Sequence, residues 1–192
     1  DTSHFAPAPR PPNPGKQILY VGRLAPEKNL SSLVAAVAKL DDRIDARLVF
    51  IGHGPLRESL ETQARTLGVR AEFLGVVEHH LLPRYFRQAD AFVLPSFTEG
   101  HPKALLEAMS CGVPCVASAR GGILSIVRDG ETGLLFEPDD VAGLARQLQL
   151  VLASDGTGRM LAERAREEIL RSYDLSALVQ REIELLRMAA RC

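Results

Sequence analysis

Short, continuously apolar runs alternate along this chain with longer stretches in which apolar residues recur every three or four positions. The runs "QILYVG" (17–22), "RLVFIG" (47–52), "AEFLG" (71–75), "AFVLPS" (91–96), "VPCVAS" (113–118) and "TGLLFE" (132–137) read as strands. Between the first two, Leu30, Leu33, Val34, Val37 and Leu40 share one helical face behind Asn29, a residue type suited to capping it. Leu56, Leu60, Ala64 and Leu67 mark a second helix and "LLPRYFRQA" a short third. A fourth is expected to begin with Pro102 as its first residue and to bury Leu105, Ala108 and Met109. Helices over 141–153, 158–172 and 175–190 close the chain.

Strands that are apolar on both sides need cover on both faces of their sheet. Strand–helix–strand order in turn gives right-handed crossovers and parallel pairing. The expected fold is therefore α/β, a doubly wound parallel sheet, spanning residues 17–172. Residues 1–16 carry five prolines and few large apolar groups, and are expected to run as an extended linker. In the last helix, within 173–192, Leu175, Leu178, Val179, Ile183, Leu185, Leu186 and Met188 make an apolar surface broader than one face requires. It is suited either to closing this sheet or to packing on another domain.

A chain of 192 residues with 46% hydrophobic and 24% charged residues is long enough for a real core and excludes disordered and fibrous classes. A net charge of −1 gives no reason to expect nucleic acid or a membrane surface as partner, though a local basic patch can still serve phosphate. Cys111, Cys115 and Cys192 form no Cys-x-x-Cys pair, which favours reduced, buried thiols and a cytoplasmic setting. No apolar run reaches membrane-spanning length, and no signal-peptide pattern opens the chain.

Ligands of doubly wound sheets lie beyond the carboxyl ends of the strands. Here those ends read "GRLAPEK", "GHGP", "GVVEHH" and "PSFTEGHPK". Arg23 offers a planar fork and Lys28 a compact charge, together suited to a diphosphate. The alternative makes both solvated loop charges beside Glu27. The amides around Gly100, His101 and Lys103, at the start of the fourth helix, are expected to form an anion site. Glu99 reaches the crevice from the loop and Glu107 from the second helical turn. Carboxylates accept bidentate hydrogen bonds from vicinal hydroxyls, so one suits a ribose and the other a hexose. The alternatives are a helix-dipole role for Glu99 and a surface pair of Glu107 with Lys103.

"ILYVGRLAPEKN", "LVFIGHGPLRESLE", "FLGVV", "AFVLPSFTEGHPKALLEAMSCGVPCVAS" and "GGILSIVRDGETGLLF" together resemble the C-terminal, donor-binding half of retaining nucleotide-sugar glycosyltransferases. These are the two-Rossmann-domain, or GT-B, enzymes of group 1. The resemblance implies a Rossmann-like half of a GT-B fold, with Arg23 and Lys28 on the donor diphosphate and Glu107 on the ribose. It puts Glu99, with the backbone from Gly100 through His101 and Pro102 to Lys103 and Ala104, on the transferred sugar. Gly22 and Gly54 line the donor site, and the base lies against Val76 and Val77 through backbone contacts. Catalysis would rest on Arg23, Lys28 and Glu99, without a metal or other cofactor. "DTSHFAP" resembles the segment just beyond the family's first domain. The chain is thus expected to lack an N-terminal half that would bind the acceptor, a sugar, lipid or glycan, and any peripheral membrane association would belong to the longer enzyme.

Three positions depart from the family pattern. Leu124 and Ser125 stand where Pro-Glu is common, and His101 stands where an aromatic is. Other readings of the same segment are a nucleotide-sugar binding module without activity, or an epimerase or phosphorylase of the same architecture. His79 and His80 are adjacent, a poor arrangement for joint metal ligation. "GHGPLR" lacks the third glycine of a dinucleotide fingerprint.

Overall fold

The computed structural model describes residues 1–9, 14–153, 155–173, 179–180, 182–183 and 186–188. Six strands form one sheet: β1 (Lys16–Val21), β2 (Ala46–Ile51), β3 (Ala71–Gly75), β4 (Ala91–Leu94), β5 (Cys115–Ser118) and β6 (Leu134–Phe136). All pair in parallel in the order β3-β2-β1-β4-β5-β6, with Leu19 facing Phe92 and Val93 facing Val116 in register. Every residue of β4 and β5 is buried, as the unbroken apolar runs require of central strands.

The helices are α1 (Leu30–Val37), α2 (Arg57–Thr66), α3 (Leu82–Gln88), α4 (Lys103–Ser110), α5 (Val141–Ala153) and α6 (Asp155–Ser172). α1 packs against α2 and α5, and α4 against α3 and α6. This is the expected doubly wound α/β domain.

Local differences have local causes. α1 stops short of Leu40 because the chain tightens, with the Lys39 and Leu40 amides donating to the Ala36 and Val37 carbonyls. Asn29 precedes α1 but does not cap it through its side chain. It adopts a left-handed conformation (φ 52°), and its Nδ2 donates to the Pro138 carbonyl at 2.9 Å, tying the helix start to the loop before α5. Pro102 lies just before α4 rather than inside it, and α6 begins ahead of the expected 158.

Residues 1–9 form no helix or strand, yet Phe5 is only 3% exposed. Its ring meets Phe86, Ser110 Oγ donates to its carbonyl, and Arg87 donates to the carbonyls of Ala6 and His4. One aromatic residue is enough to seat a segment that has no core of its own.

Cys111 and Cys115 are free and buried; burial pushes the Cys111 thiol up to about 12 and raises Cys115 as well. Cys192 and most of the expected closing helix, 175–190, lie outside the described residues. Among the described residues no helix is long and apolar enough to cross a membrane.

Candidate functional site

β1 has β2 on one side and β4 on the other, so the chain winds away from it in both directions, and the ends of β1 and β4 mark the switch point beyond which such sheets take their ligands. Tyr20, near the end of β1, is fully buried and donates its hydroxyl hydrogen to the Arg23 carbonyl at 2.8 Å. Burial, reinforced by the negative charges of Glu99 and Glu27 and opposed by Arg23, holds this phenol well above its usual pKa. It therefore remains a neutral donor beneath the loop. A short turn, Pro26–Lys28, follows, and the Phe97 amide donates to the Glu27 carbonyl at 2.9 Å, joining the loops after β1 and β4.

That crossing brings Lys28 onto Glu99. Lys28 Nζ meets Glu99 Oε1 at 2.6 Å, with side chains 17% and 11% exposed. Ser96 Oγ donates to the same oxygen at 2.7 Å, and Ser118 Oγ donates to the Ser96 carbonyl at 2.6 Å, linking the ends of β4 and β5. Arg23, expected to share the crevice with Lys28, is 70% exposed and pairs with Glu27 at 2.5 Å, the alternative that the spacing allowed.

Leu105, Ala108 and Met109 are buried along α4 as expected. The anion site at its start is narrower than expected, because the Lys103 amide donates to the His101 carbonyl. Glu107 projects from the second turn, its side chain 18% exposed, and pairs with His79 Nε2 at 2.7 Å rather than with Lys103. His101, Lys103 and Glu107 line a cavity of about 250 Å³ together with Phe5 and Tyr173.

Glycines set how closely the loops approach. A Cβ on Gly54 would lie 2.3 Å from the Leu24 carbonyl oxygen, so the second loop crosses the first only with glycine there. A Cβ on Gly122 would lie 1.9 Å from the Gly100 carbonyl oxygen, and the Gly122 amide donates to the Glu99 carbonyl at 2.8 Å. The Gly121–Gly122 pair is thus a platform under Glu99 and Gly100. Where an acid is common, Ser125 Oγ instead donates to the Gly122 carbonyl at 2.8 Å, while Leu124 is exposed. Val76 is exposed and Val77 half-buried after β3, and Gly100, His101 and Ala104 face open or half-open space. Gly22 is anchored by its amide to the Ile51 carbonyl at 2.9 Å.

Four residues without an assigned role in the sequence reading belong to this site: Tyr20, Ser96, His79 and Phe5. Ser96 was the most accessible, since it stands in the same short segment as Glu99. The partnership of His79 with Glu107 has no local signal. Among the described residues no three His, Cys, Asp or Glu side chains gather as metal ligands would.

A parallel sheet in this order, with paired charges at its switch point, defines a doubly wound domain of the Rossmann kind. Comparison with known proteins places it further: the chain belongs to the glycosyl transferases group 1, whose pattern matches residues 3–168. It is 33% identical over 161 residues to 2-deoxystreptamine N-acetyl-D-glucosaminyltransferase of Niallia circulans, covering 82% of this chain and 41% of that protein. It is 37% identical over 163 residues to sulfoquinovosyl transferase SQD2 of Arabidopsis thaliana, covering 83% of this chain and 31% of that one. Among solved structures, sucrose-phosphate synthase from Thermosynechococcus elongatus superposes with a TM-score of 0.88 at 30% identity, over 100% of this chain and 51% of that one. The C-terminal domain of a group 1 glycosyl transferase from Francisella tularensis, at 24% identity and a TM-score of 0.83, shares the fold over 91% of this chain and 98% of its own length. The chain therefore spans about half the length, or less, of the larger proteins it matches.

Proposed function

We propose that this chain is the donor-binding half of a retaining glycosyltransferase that uses a nucleotide diphosphate sugar. The observation that carries the reading is the Lys28–Glu99 pair, held by Ser96 at the switch point and followed by Glu107 in the second turn of α4. A diphosphate entering the crevice finds Lys28 in place, and Arg23, exposed at the rim, is free to turn from Glu27 toward it. Glu99 then orients hydroxyls of the sugar, and Glu107 those of the ribose. The bond between the anomeric carbon and the diphosphate oxygen breaks while an acceptor hydroxyl oxygen bonds to that carbon on the same face, its proton passing to the departing diphosphate. What the site must supply is stabilisation of the negative charge growing on the departing phosphate, and cations already seated on the diphosphate when the donor is bound do this without reorganising during the reaction.

The relatives reported above include named transferases, which favours transfer over epimerisation or phosphorolysis. On this reading the acceptor, a sugar, lipid or glycan, binds to a facing domain. The chain alone then binds the donor without transferring it, because half a cleft leaves the reacting carbon open to water.

Titration calorimetry with UDP, GDP and ADP tests the reading. One of the three is expected to bind, and Lys28→Ala to weaken it about tenfold or more, as loss of a charge-assisted contact of ~1.5–3 kcal/mol implies. Binding of none, or equal binding by the variant, defeats it.

A further inference from the structure

An acid that grips a ribose works best when its oxygens are set before the ligand arrives, because a glutamate without a partner samples several rotamers that binding must freeze. Glu107 is set in this way by residues from three separate stretches of chain. His79, in the short turn His79–Leu81 after β3, brings Nε2 to 2.7 Å from Glu107 Oε1. An imidazole 68% exposed would ordinarily be mobile, but its ring lies against Phe5, 5.2 Å between centroids and tilted by 54°. Phe5 is buried, and its carbonyl accepts from Ser110 Oγ at 2.5 Å. Ser110 stands on α4, one turn beyond Glu107. The path therefore closes on itself, from Glu107 to His79, to Phe5, to Ser110 and back through one helical turn.

From this circuit we infer that His79 is a positioning residue for Glu107, engaging one lone pair of Oε1 so that Oε2 and the remaining lone pair of Oε1 are set for the vicinal hydroxyls of the nucleotide ribose. The inference rests on the donor-binding reading above and adds to it a residue that makes the site distinguish ribose from deoxyribose. Nothing in the chemistry requires histidine to touch the ligand. Its imidazole N–H replaces water on one carboxylate oxygen, and the discrimination follows from the orientation this gives the carboxylate.

The test is calorimetric titration of the 192-residue chain with whichever of UDP, GDP and ADP binds, and with the 2′-deoxy and 3′-deoxy forms of that nucleotide. Glu107→Ala is expected to abolish the preference for the ribose form. His79→Ala is expected to weaken the ribose form about tenfold and the deoxy forms less than twofold. His79→Gln, whose amide N–H can donate to the same oxygen, should return the ribose form to within about threefold of the native value. Affinity lost equally for ribose and deoxyribose forms on His79→Ala, or a preference left intact, overturns the role of His79. If the native chain shows no preference, or Glu107→Ala leaves it unchanged, the ribose role of Glu107 fails and that of His79 falls with it. A Glu107 effect without a His79 effect leaves the donor-site reading standing and removes only the inference.

Discussion

Lys28 and Arg23 lie in one loop and carry the same charge, yet they occupy different physical worlds. Lys28 is mostly buried against Glu99, whose carboxylate is also held by Ser96; Arg23 reaches into solvent and pairs with Glu27, four residues along the same loop. Breaking a buried, hydrogen-bonded pair leaves an uncompensated charge, whereas an exposed pair of this spacing contributes at most about 1 kcal/mol. On the donor-binding reading, Lys28 therefore belongs to the built site, and Arg23 is a cation held at the rim in reserve. Which of the two turns inward is decided by the loop after β4, which supplies Glu99 from 71 residues away.

Stability measurements give the sharpest test of this contrast. Lys28→Ala or Glu99→Ala should lower the unfolding free energy by about 3 kcal/mol in urea titration, while Arg23→Ala should change it by less than about 1 kcal/mol. The paired replacement of Lys28 by Met and Glu99 by Leu should recover most of the loss, since neither charge is then stranded. Equal losses for the two cations would erase the distinction.

On the proposed function, transfer by a chain that also carries the facing domain should show the reverse of Arg23's structural insignificance. Arg23→Ala is expected to lower turnover about a hundredfold, roughly 2.7 kcal/mol of transition-state stabilisation, with little change in the unfolding midpoint. Near-normal turnover would make Arg23 the solvated loop charge that its resting position resembles.

The smallest expected effect is at Ser96. Ser96→Ala removes one of the two groups on Glu99 Oε1, and should reduce stability by about 1 kcal/mol and loosen nucleotide binding less than Lys28→Ala does. A loss as large as that of Lys28→Ala would mean that the hydroxyl, not the ammonium, is what holds Glu99.

Much of the architecture was legible because its signals are local. Continuous apolar runs marked β1 through β6, and the spacing of Leu105, Ala108 and Met109 marked the buried face of α4. Family resemblance pointed to Lys28, Glu99 and Glu107, but side-chain chemistry alone left open what each would meet. Asn29 shows why: its residue type suits a helix cap, and its side chain went instead to the Pro138 carbonyl, a partner 109 residues later. Phe5 stood among prolines that suggested a bare linker, and only the hollow beside Phe86 and Ser110 makes it a core residue. Lys103 was expected to offer its amide to an anion, but the turn at His101 consumes it.

The order of strands and helices, and with it the crevice at the switch point, was written in the chain itself, because hydrophobic periodicity and the handedness of crossovers act over short stretches and leave few topologies open. The partners of the charged side chains came from folding alone. Lys28 meets Glu99 and His79 meets Glu107 across 71 and 28 residues, and such pairings depend on where loops cross and how closely glycines let them approach. Burial then ranks them, since a charge removed from water must find its complement within hydrogen-bonding distance, while one left in water need not.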